Sequence, residues 1–159
     1  MSAKLERLTR TLINLRFVPR ENIESWVDVC TLIPSSVDHG EYYELCRMHY
    51  RCTLLVERYQ GDCRLISSWV ASWLKDYDGD RDHDQMPDPE IDIEALDASG
   101  TQWDVDLSIE FVEPILIVPA NDGVITWKGQ QWQLIDQPVV DTAEQLENVT
   151  QINPDEDTS

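Results

Sequence analysis

The stretch TQWDVDLSIEF, residues 101 to 111, alternates apolar and polar side chains without a break. Successive side chains of a strand point to opposite faces of its sheet, so this alternation predicts a strand with one buried and one solvated face. We expect the buried face to be core and the other face to be rich in carboxylates. The expected core residues are Trp103, Val105, Leu107, Ile109 and Phe111, and the expected outward residues are Gln102, Asp104, Asp106, Ser108 and Glu110.

The flanking segments predict an antiparallel sheet around this strand. EIDIEAL, residues 90 to 96, alternates in the same way, places Asp92 and Glu94 outward, and is joined to the next strand by turn residues. Residues 25 to 33 and 43 to 57 are rich in aromatic and β-branched residues and predict two further strands. A hairpin is predicted over VITWKGQQWQLI, residues 124 to 135, with its turn near Lys128 and Gly129.

Two helices are predicted to cover the sheet. Residues 3 to 16 carry leucines at helical spacing, and a second helix follows Gly61 and Asp62 with an apolar stripe that runs to Tyr77. The expected fold class is therefore α+β, a mostly antiparallel sheet packed on two main helices, in a single domain of residues 1 to 138. Residues 139 to 159 are acidic with few apolar side chains, and we expect them to form a tail that is disordered or becomes ordered only against a partner.

The excess of negative over positive charge lies entirely in the second half of the chain. The 159 residues carry a net charge of −19. Residues 1 to 75 contain ten Lys/Arg and nine Asp/Glu, a balance of +1, whereas residues 76 to 159 contain two and twenty-two, a balance of −20. A surface this acidic repels phosphate backbones and disfavours ordinary nucleic-acid binding. No apolar run approaches the ~20 residues of a membrane span, so we expect a soluble, unexported protein with no membrane partner.

The stretch DYDGDRDHDQMPDPE, residues 76 to 90, places aspartate at every second position and is called the aspartate loop below. An EF-hand needs glycine at position 6 and glutamate at position 12, and neither register that starts on an aspartate supplies them. We therefore expect no metal site here. A connection of this length is typical of a mobile or partner-binding segment. The residues assigned to such an arm are Asp76, Asp78, Asp80, Asp82 and Asp84.

Motifs for catalysis and cofactor binding are missing from the sequence. It has no glycine-rich phosphate loop, no GxSxG and no HExxH, and its four cysteines form no CxxC pair, so neither a cofactor nor zinc is expected and the cysteines are interpreted as reduced thiols. Asp104 and Asp106 share a strand face at about 7 Å, a separation found in glycosidase pairs. Alternating carboxylates on a strand are far more often plain solvated surface, which favours a binding or structural role over an enzyme.

Two blocks of the chain together resemble the tail completion protein R family of P2-like contractile-tailed bacteriophages. They are residues 50 to 74, YRCTLLVERYQGDCRLISSWVASWL, and residues 90 to 117, EIDIEALDASGTQWDVDLSIEFVEPILI. The matching features are an aromatic strand, a turn with glycine and aspartate, a tryptophan–leucine pair at the helix end and a DLSI strand. In this chain they are Tyr50 to Leu54, Gly61 with Asp62, Trp73 with Leu74, and Asp106 to Ile109. The chain departs from the pattern in its longer link between helix and strand, in its five aspartates, and after residue 120.

The resemblance implies a tail-terminator-like structural virion protein. Such a protein caps the tail tube, ends its polymerisation and forms the head-tail joining surface, as a homo-hexameric ring at the head-proximal end of the tail that is assembled in the host bacterial cytoplasm. Its partners would be the tail tube, the sheath protein and a head-completion or connector protein, with DNA passing through without specific binding. The acidic residues expected to face the channel or a partner are Asp92, Glu94, Asp104, Asp106 and Glu110.

Two other classes of function remain open at this stage. An acidic α/β domain is also typical of an inhibitor that mimics the charge of DNA, which would stay monomeric or dimeric and bind a basic protein more weakly in high salt. A hydrolase acting through Asp104 and Asp106 would need a concave pocket and a raised carboxylate pKa.

Overall fold

The alternating stretch forms a strand, and the strand is longer than the alternation. The computed structural model describes residues 3–136, and in it the strand runs from Trp103 to Pro119. The helices are α1, Ala3–Leu15, and α2, Cys63–Tyr77, with a short 3-10 turn at Arg20–Asn22. The strands are β1, Ile23–Asp38; β2, Tyr43–Tyr59; β3, Glu90–Ala95; β4, Trp103–Pro119; β5, Ile125–Trp127; and β6, Gln130–Ile135.

All six strands belong to one antiparallel sheet. Its order is β1-β2-β4-β6-β5, and β3 also pairs with β4. The strand β3 pairs with β4 from Trp103 to Ser108, and β6 pairs with the same side of β4 from Leu116 to Pro119. A stretch of β4 between these two partners therefore has only β2 beside it. The sheet has one edge at β1 and another at β3 and β5. This architecture confirms the expected α+β class.

The positions of two prolines explain why β1 and β4 extend beyond their predicted ends. A proline lacks the backbone N–H of a ladder bond and usually marks the end of a strand, so the prediction for β1 stopped before Pro34 and that for β4 stopped before Pro114. Pro34 lies on the edge strand β1, and Pro114 lies in the stretch of β4 that has a strand on one side only. A missing N–H costs least at such places, and both strands continue.

The helices cover only one half of the sheet, which we call the helix-covered half. It comprises residues 23–28 of β1, 50–59 of β2, 103–111 of β4, and β3. The residues that alternate inward on β2 and β4 are buried against leucines of α1 and the apolar stripe of α2, as expected. The core comprises Leu5, Leu8, Leu12, Tyr50, Cys52, Leu54, Val56, Ile66, Val70, Trp73, Leu74, Val105, Leu107, Ile109 and Phe111. Each large apolar side chain buried here stabilises the fold by about 1.5–3 kcal/mol.

The other half of the sheet, the extended half, comprises residues 29–38 of β1, 43–49 of β2, 112–119 of β4, and β5 with β6. It contains a small aromatic cluster in which the ring of Trp127 lies 4.7 Å from that of Tyr43 and 5.4 Å from that of the buried Trp132. The predicted hairpin is confirmed. Its turn is formed by Lys128 and Gly129, both with positive φ, as a two-residue hairpin loop requires.

The expected acidic tail, residues 139 to 159, lies outside the described residues. None of the helices described in residues 3–136 combines the length and the apolar character needed to span a membrane. All four cysteines are free thiols. Cys52 is buried beneath α1 and α2, and burial, with smaller contributions from Asp28 and Glu113, raises its pKa to about 12.

Candidate functional site

The predicted acidic residues lie together on the face of the sheet opposite the helices. In the pairing of β3 with β4, Asp92 lies directly opposite Asp106, and Glu94 lies directly opposite Asp104. Directly opposed residues of an antiparallel pair point to the same face, with Cβ atoms about 4.5–5.5 Å apart. Like charges in such pairs destabilise the sheet. This face, with Glu110 as its fifth member, is called the acidic face below.

The electrostatics of the acidic face are most unfavourable at Asp106. Partial burial removes water from its carboxylate, and the negative charges of Asp92 and Asp28 add to that effect, so the pKa of Asp106 is raised above its ordinary value. Within residues 3–136, the carboxylates of Asp92, Glu94 and Asp106 form no hydrogen bond or ion pair with another residue. The described part of the chain therefore leaves this repulsion uncompensated.

Two members of the acidic face do have partners. The Oδ1 atom of Asp104 accepts a hydrogen bond from the backbone N–H of Arg58 at 3.1 Å, where the positive φ of Arg58 bends the end of β2. Glu110 Oε1 lies 2.7 Å from His49 Nε2, and Glu110 pairs across the sheet with Arg51. The negative potential of the acidic face is therefore strongest where β3 pairs with β4 and weaker at Glu110.

The aspartate loop divides its five aspartates between the surface and the interior. Asp76, Asp80 and Asp82 are exposed, and Asp84 is half-buried with its carboxylate 3.9 Å from Arg47 Nη2. Asp78 is buried instead and belongs to the fold. Its Oδ1 lies 2.6 Å from Lys4 Nζ and its Oδ2 lies 2.7 Å from Arg81 Nη1. Asp78 is thus held by residues of its own chain, which separates it from the other four aspartates predicted to form a partner-contacting arm.

Arg81 fastens the aspartate loop to the sheet. Its Nη1 donates to the carbonyl of Glu110 at 2.9 Å, and its Nη2 donates to the carbonyl of Pro87. Glu110 lies in the stretch of β4 that has no second partner strand, so the guanidinium satisfies a carbonyl that a neighbouring strand would otherwise take. The guanidinium also lies 5.7 Å from the ring centre of Phe111. These contacts hold the loop against the border between the two halves.

Sequence reasoning missed a buried carboxylate at the same border. Glu113 accepts hydrogen bonds from the backbone N–H groups of Ala3 and Lys4 and from the hydroxyl of Tyr50. The first N–H groups of a helix have no intrahelical partner, so this carboxylate, from a strand distant in sequence, caps the N-terminus of α1. Its negative charge also interacts favourably with the positive end of the helix dipole. The signal available in the sequence was one charged residue within the apolar run FVEPILI, residues 111 to 117.

An open groove lies between α2 and β3. Its volume is about 450 Å³, its floor includes Ile91 and Leu107, and its rim carries Lys75, Asp82 and other charged side chains. Asp104 and Asp106 line neither this groove nor a smaller cavity of about 250 Å³. The raised pKa that a hydrolase would need is present at Asp106, but these cavities do not place it in a pocket. The described part of the chain brings together no group of three or more His, Cys, Asp or Glu residues able to hold a metal ion.

Comparison with protein families gives one match that covers most of the chain. The family model described as P2 phage tail completion protein R (GpR) matches residues 2–137. The match spans both helices and all six strands. Comparisons with curated proteins and with solved structures returned no significant match.

Proposed function

This chain belongs to the P2 phage tail completion protein R family, structural proteins of the phage tail, and on that basis we propose that it closes the head-proximal end of the tail tube as a homo-hexameric ring. In this role it ends polymerisation of the tube and offers the surface to which the head is joined. The two edges of its sheet support a ring because they are different surfaces. A contact between different surfaces is heterologous, and it closes when the rotation per subunit is a simple fraction of a turn.

The acidic face supports a place on the channel wall. It carries two directly opposed pairs of like charges, Asp92 with Asp106 and Glu94 with Asp104, on the side of the sheet that no helix covers. This observation carries the proposal. Repulsion of this kind destabilises the subunit, so the presence of two such pairs indicates that their charge has a function. Carboxylates that face a channel repel the phosphates of DNA. The genome then passes without being bound.

The outer part of the aspartate loop is the proposed contact to a neighbouring component. Asp76, Asp80 and Asp82 are exposed, the first in the last turn of α2 and the other two in the turn that follows it, whereas Arg81 and the buried Asp78 hold the base of the loop. A fixed base with exposed carboxylates suits a basic surface on the tail tube, the sheath protein or the head-completion or connector protein. Assembly in the host cytoplasm and a final position in the virion tail follow from this role.

The test of capping is tube length. Tail tubes assembled from purified tube protein with this protein present should be shorter and more uniform, with a ring visible at one end by electron microscopy. Light scattering should give a mass of about six subunits, either in solution or after tubes are added. A protein that remains monomeric, leaves tube length unchanged and captures a basic protein in low salt would contradict the proposal and favour the DNA-mimic class.

The test of the channel wall is charge reversal. Asp104→Lys with Asp106→Lys, both on β4 and away from the sheet edges, should leave the ring assembled but should make it bind DNA, with an affinity that falls steeply as salt is raised. The matched control is Glu6→Lys with Asp122→Lys, which makes the same charge change at exposed positions away from the acidic face. DNA bound equally by both double variants would place the acidic face elsewhere than the channel.

A further inference from the structure

The edge strand β1 presents an uncharged apolar surface in the extended half. Residues 29 to 37, VCTLIPSSV, contain no charged residue, although 27% of the whole chain is charged. Val29, Leu32, Ile33 and Val37 are all exposed, Leu32 to 61%. Edge strands are usually protected from pairing by charged side chains, prolines or bulges, and the stretch from Val29 to Ile33, which lies between two register shifts, has none of these. An exposed apolar edge of this kind marks a surface that meets another protein chain.

The opposite edge of the sheet offers a site of matching character. The strand β3 is also an edge, and its Ile91 and Ile93 are more than a third exposed on the helix-bearing face. The groove of about 450 Å³ lies directly behind them, between β3 and α2. The helix α2 covers the neighbouring strand but leaves this groove open. The edge therefore has free backbone groups beside an unfilled apolar depression.

We infer that β1 of one copy pairs with β3 of the next copy, and that Leu32 enters the groove between β3 and α2. This inference rests on the proposed ring and identifies the surfaces that close it. The side chains on both strands lie on the same face of the sheet. Leu32 pairs with Met48 and Cys30 pairs with Tyr50, which places Leu32 and Cys30 on the helix-bearing face. Ile91 lies on that face too, because it pairs with Leu107. The added contact thus joins apolar residues of the same face.

Strand direction also agrees. Each of the pairs β1 with β2, β2 with β4, and β4 with β3 is antiparallel, so β1 and β3 run in opposite directions within one subunit. A rotation about an axis along the strands preserves direction. The β1 strand of the next copy therefore lies antiparallel to β3, and the sheet continues from subunit to subunit with the pattern that it has inside each one.

Charge decides which part of β1 takes part. Without an offset along the strands, the end of β1 that contains Glu24 and Asp28 would lie level with the acidic strand β3, and like charges would meet. Strands of closed barrels tilt by about 35–45°, and over four strands spaced ~4.8 Å apart this offsets the next sheet by roughly 15–20 Å, about five residues. In the direction that moves Glu24 past the end of β3, that offset places Cys30 level with Ile91 and brings Leu32 to the groove.

The first test is Leu32→Glu, with Leu134→Glu as its matched control. The control leucine is exposed to 64%, lies on β6 and is outside the proposed contact. Leu32→Glu should abolish the ring, as measured by light scattering in the presence of tail tubes, with an unchanged thermal melt. Leu134→Glu should assemble like the wild type. Equal assembly of both variants would overturn the inference.

The second test uses Cys30, which is exposed near the middle of β1. In a background of Cys46→Ser and Cys63→Ser, the change Ile91→Cys should allow oxidation to link copies into a ladder that ends at the closed ring. Without Ile91→Cys no ladder should form. A product that stops at dimers linked through Cys30 on both chains would show a symmetric contact and overturn the inference. Rings that cap tubes but form no ladder would also overturn it, while leaving the proposed function intact; absence of any ring in the wild type would contradict both.

Discussion

The two halves of the sheet use the same strands for different purposes. In the helix-covered half, inward residues of β2 and β4 such as Leu54 and Phe111 are fully buried under α1 and α2. In the extended half, β1 continues with apolar side chains exposed on both faces, Leu32 on one and Ile33 on the other. The comparison teaches that apolar residues in a strand need not belong to the core of their own subunit. The helix-covered half contains the main core, and the extended half leaves apolar surface that our proposal assigns to assembly.

The largest expected effect comes from equal truncations in the two halves. Leu54→Ala removes a fully buried side chain and should lower the free energy of unfolding by about 3–5 kcal/mol. Leu32→Ala removes an exposed one and should change it by less than about 0.5 kcal/mol. Chemical denaturation of the isolated subunit measures both. Similar losses for the two variants would mean that the extended half contributes to the subunit core, and the comparison would fail.

The border between the halves should show the next largest effect. Asp78→Ala leaves Lys4 and Arg81 without their shared carboxylate, and we expect a loss of roughly 2–3 kcal/mol in unfolding free energy. The control is Asp80→Ala, which removes an exposed aspartate of the same loop and should be nearly neutral. Equal effects in denaturation experiments would show that the ion pairs of Asp78 do not hold the loop.

A glycine in the loop between β4 and β5 tests whether the extended half can be disturbed without the core. The Cβ atom of Gly123→Ala would lie 2.0 Å from the carbonyl oxygen of Trp132, so the β5–β6 hairpin must shift, at a cost of about 1–3 kcal/mol. We expect tryptophan fluorescence to move to longer wavelength as Trp132 becomes wet, with little change in the core. The added Cβ atom of Gly79→Ala would make only an ordinary van der Waals contact at 3.5 Å. The fluorescence spectrum of this control variant should therefore match that of the wild type. A Gly123→Ala spectrum that also matches would contradict the close packing of this hairpin.

The smallest effect concerns the acidic face. The raised pKa of Asp106 means that the folded subunit binds a proton more readily than the unfolded chain does. The stabilisation that the folded protein gains from this tighter proton binding is fully present below the ordinary aspartate pKa of 3.8. It is lost as pH rises through the raised pKa of Asp106. At neutral pH the charge therefore costs stability, and Asp106→Asn should raise the melting temperature by about 1–2 °C, since exposed charges are well screened. The gain should disappear in melts recorded below pH 4 and in high salt; an Asn variant that melts lower at neutral pH would contradict the repulsion.

Local patterns predicted the elements of this fold well. The alternation of residues 101 to 111, the helical leucines and the turn at Lys128 and Gly129 depend on neighbours in sequence, and the structure confirms all three. The patterns did not show that β1 continues past Pro34 or β4 past Pro114, because the tolerance of proline depends on which strand lies alongside. That knowledge requires the whole sheet.

The acidic residues of the candidate site could be chosen from sequence, but their separate roles could not. Alternation alone placed Asp92, Asp104 and Asp106 on one face. The burial of Asp78 and the cap that Glu113 forms on α1 depend on contacts more than seventy residues apart in sequence. The exposure of the β1 edge likewise depends on how far the helices extend over the sheet, which no local pattern of residues indicates.

The most direct test of the account is a cryo-electron microscopy reconstruction of a tail tube capped by this protein. We predict a six-fold ring at one end of the tube, with Asp92 and Asp106 facing the lumen and the helices α1 and α2 outside. A ring with these carboxylates on its outer wall, or a tube end that the protein does not occupy, would contradict the account.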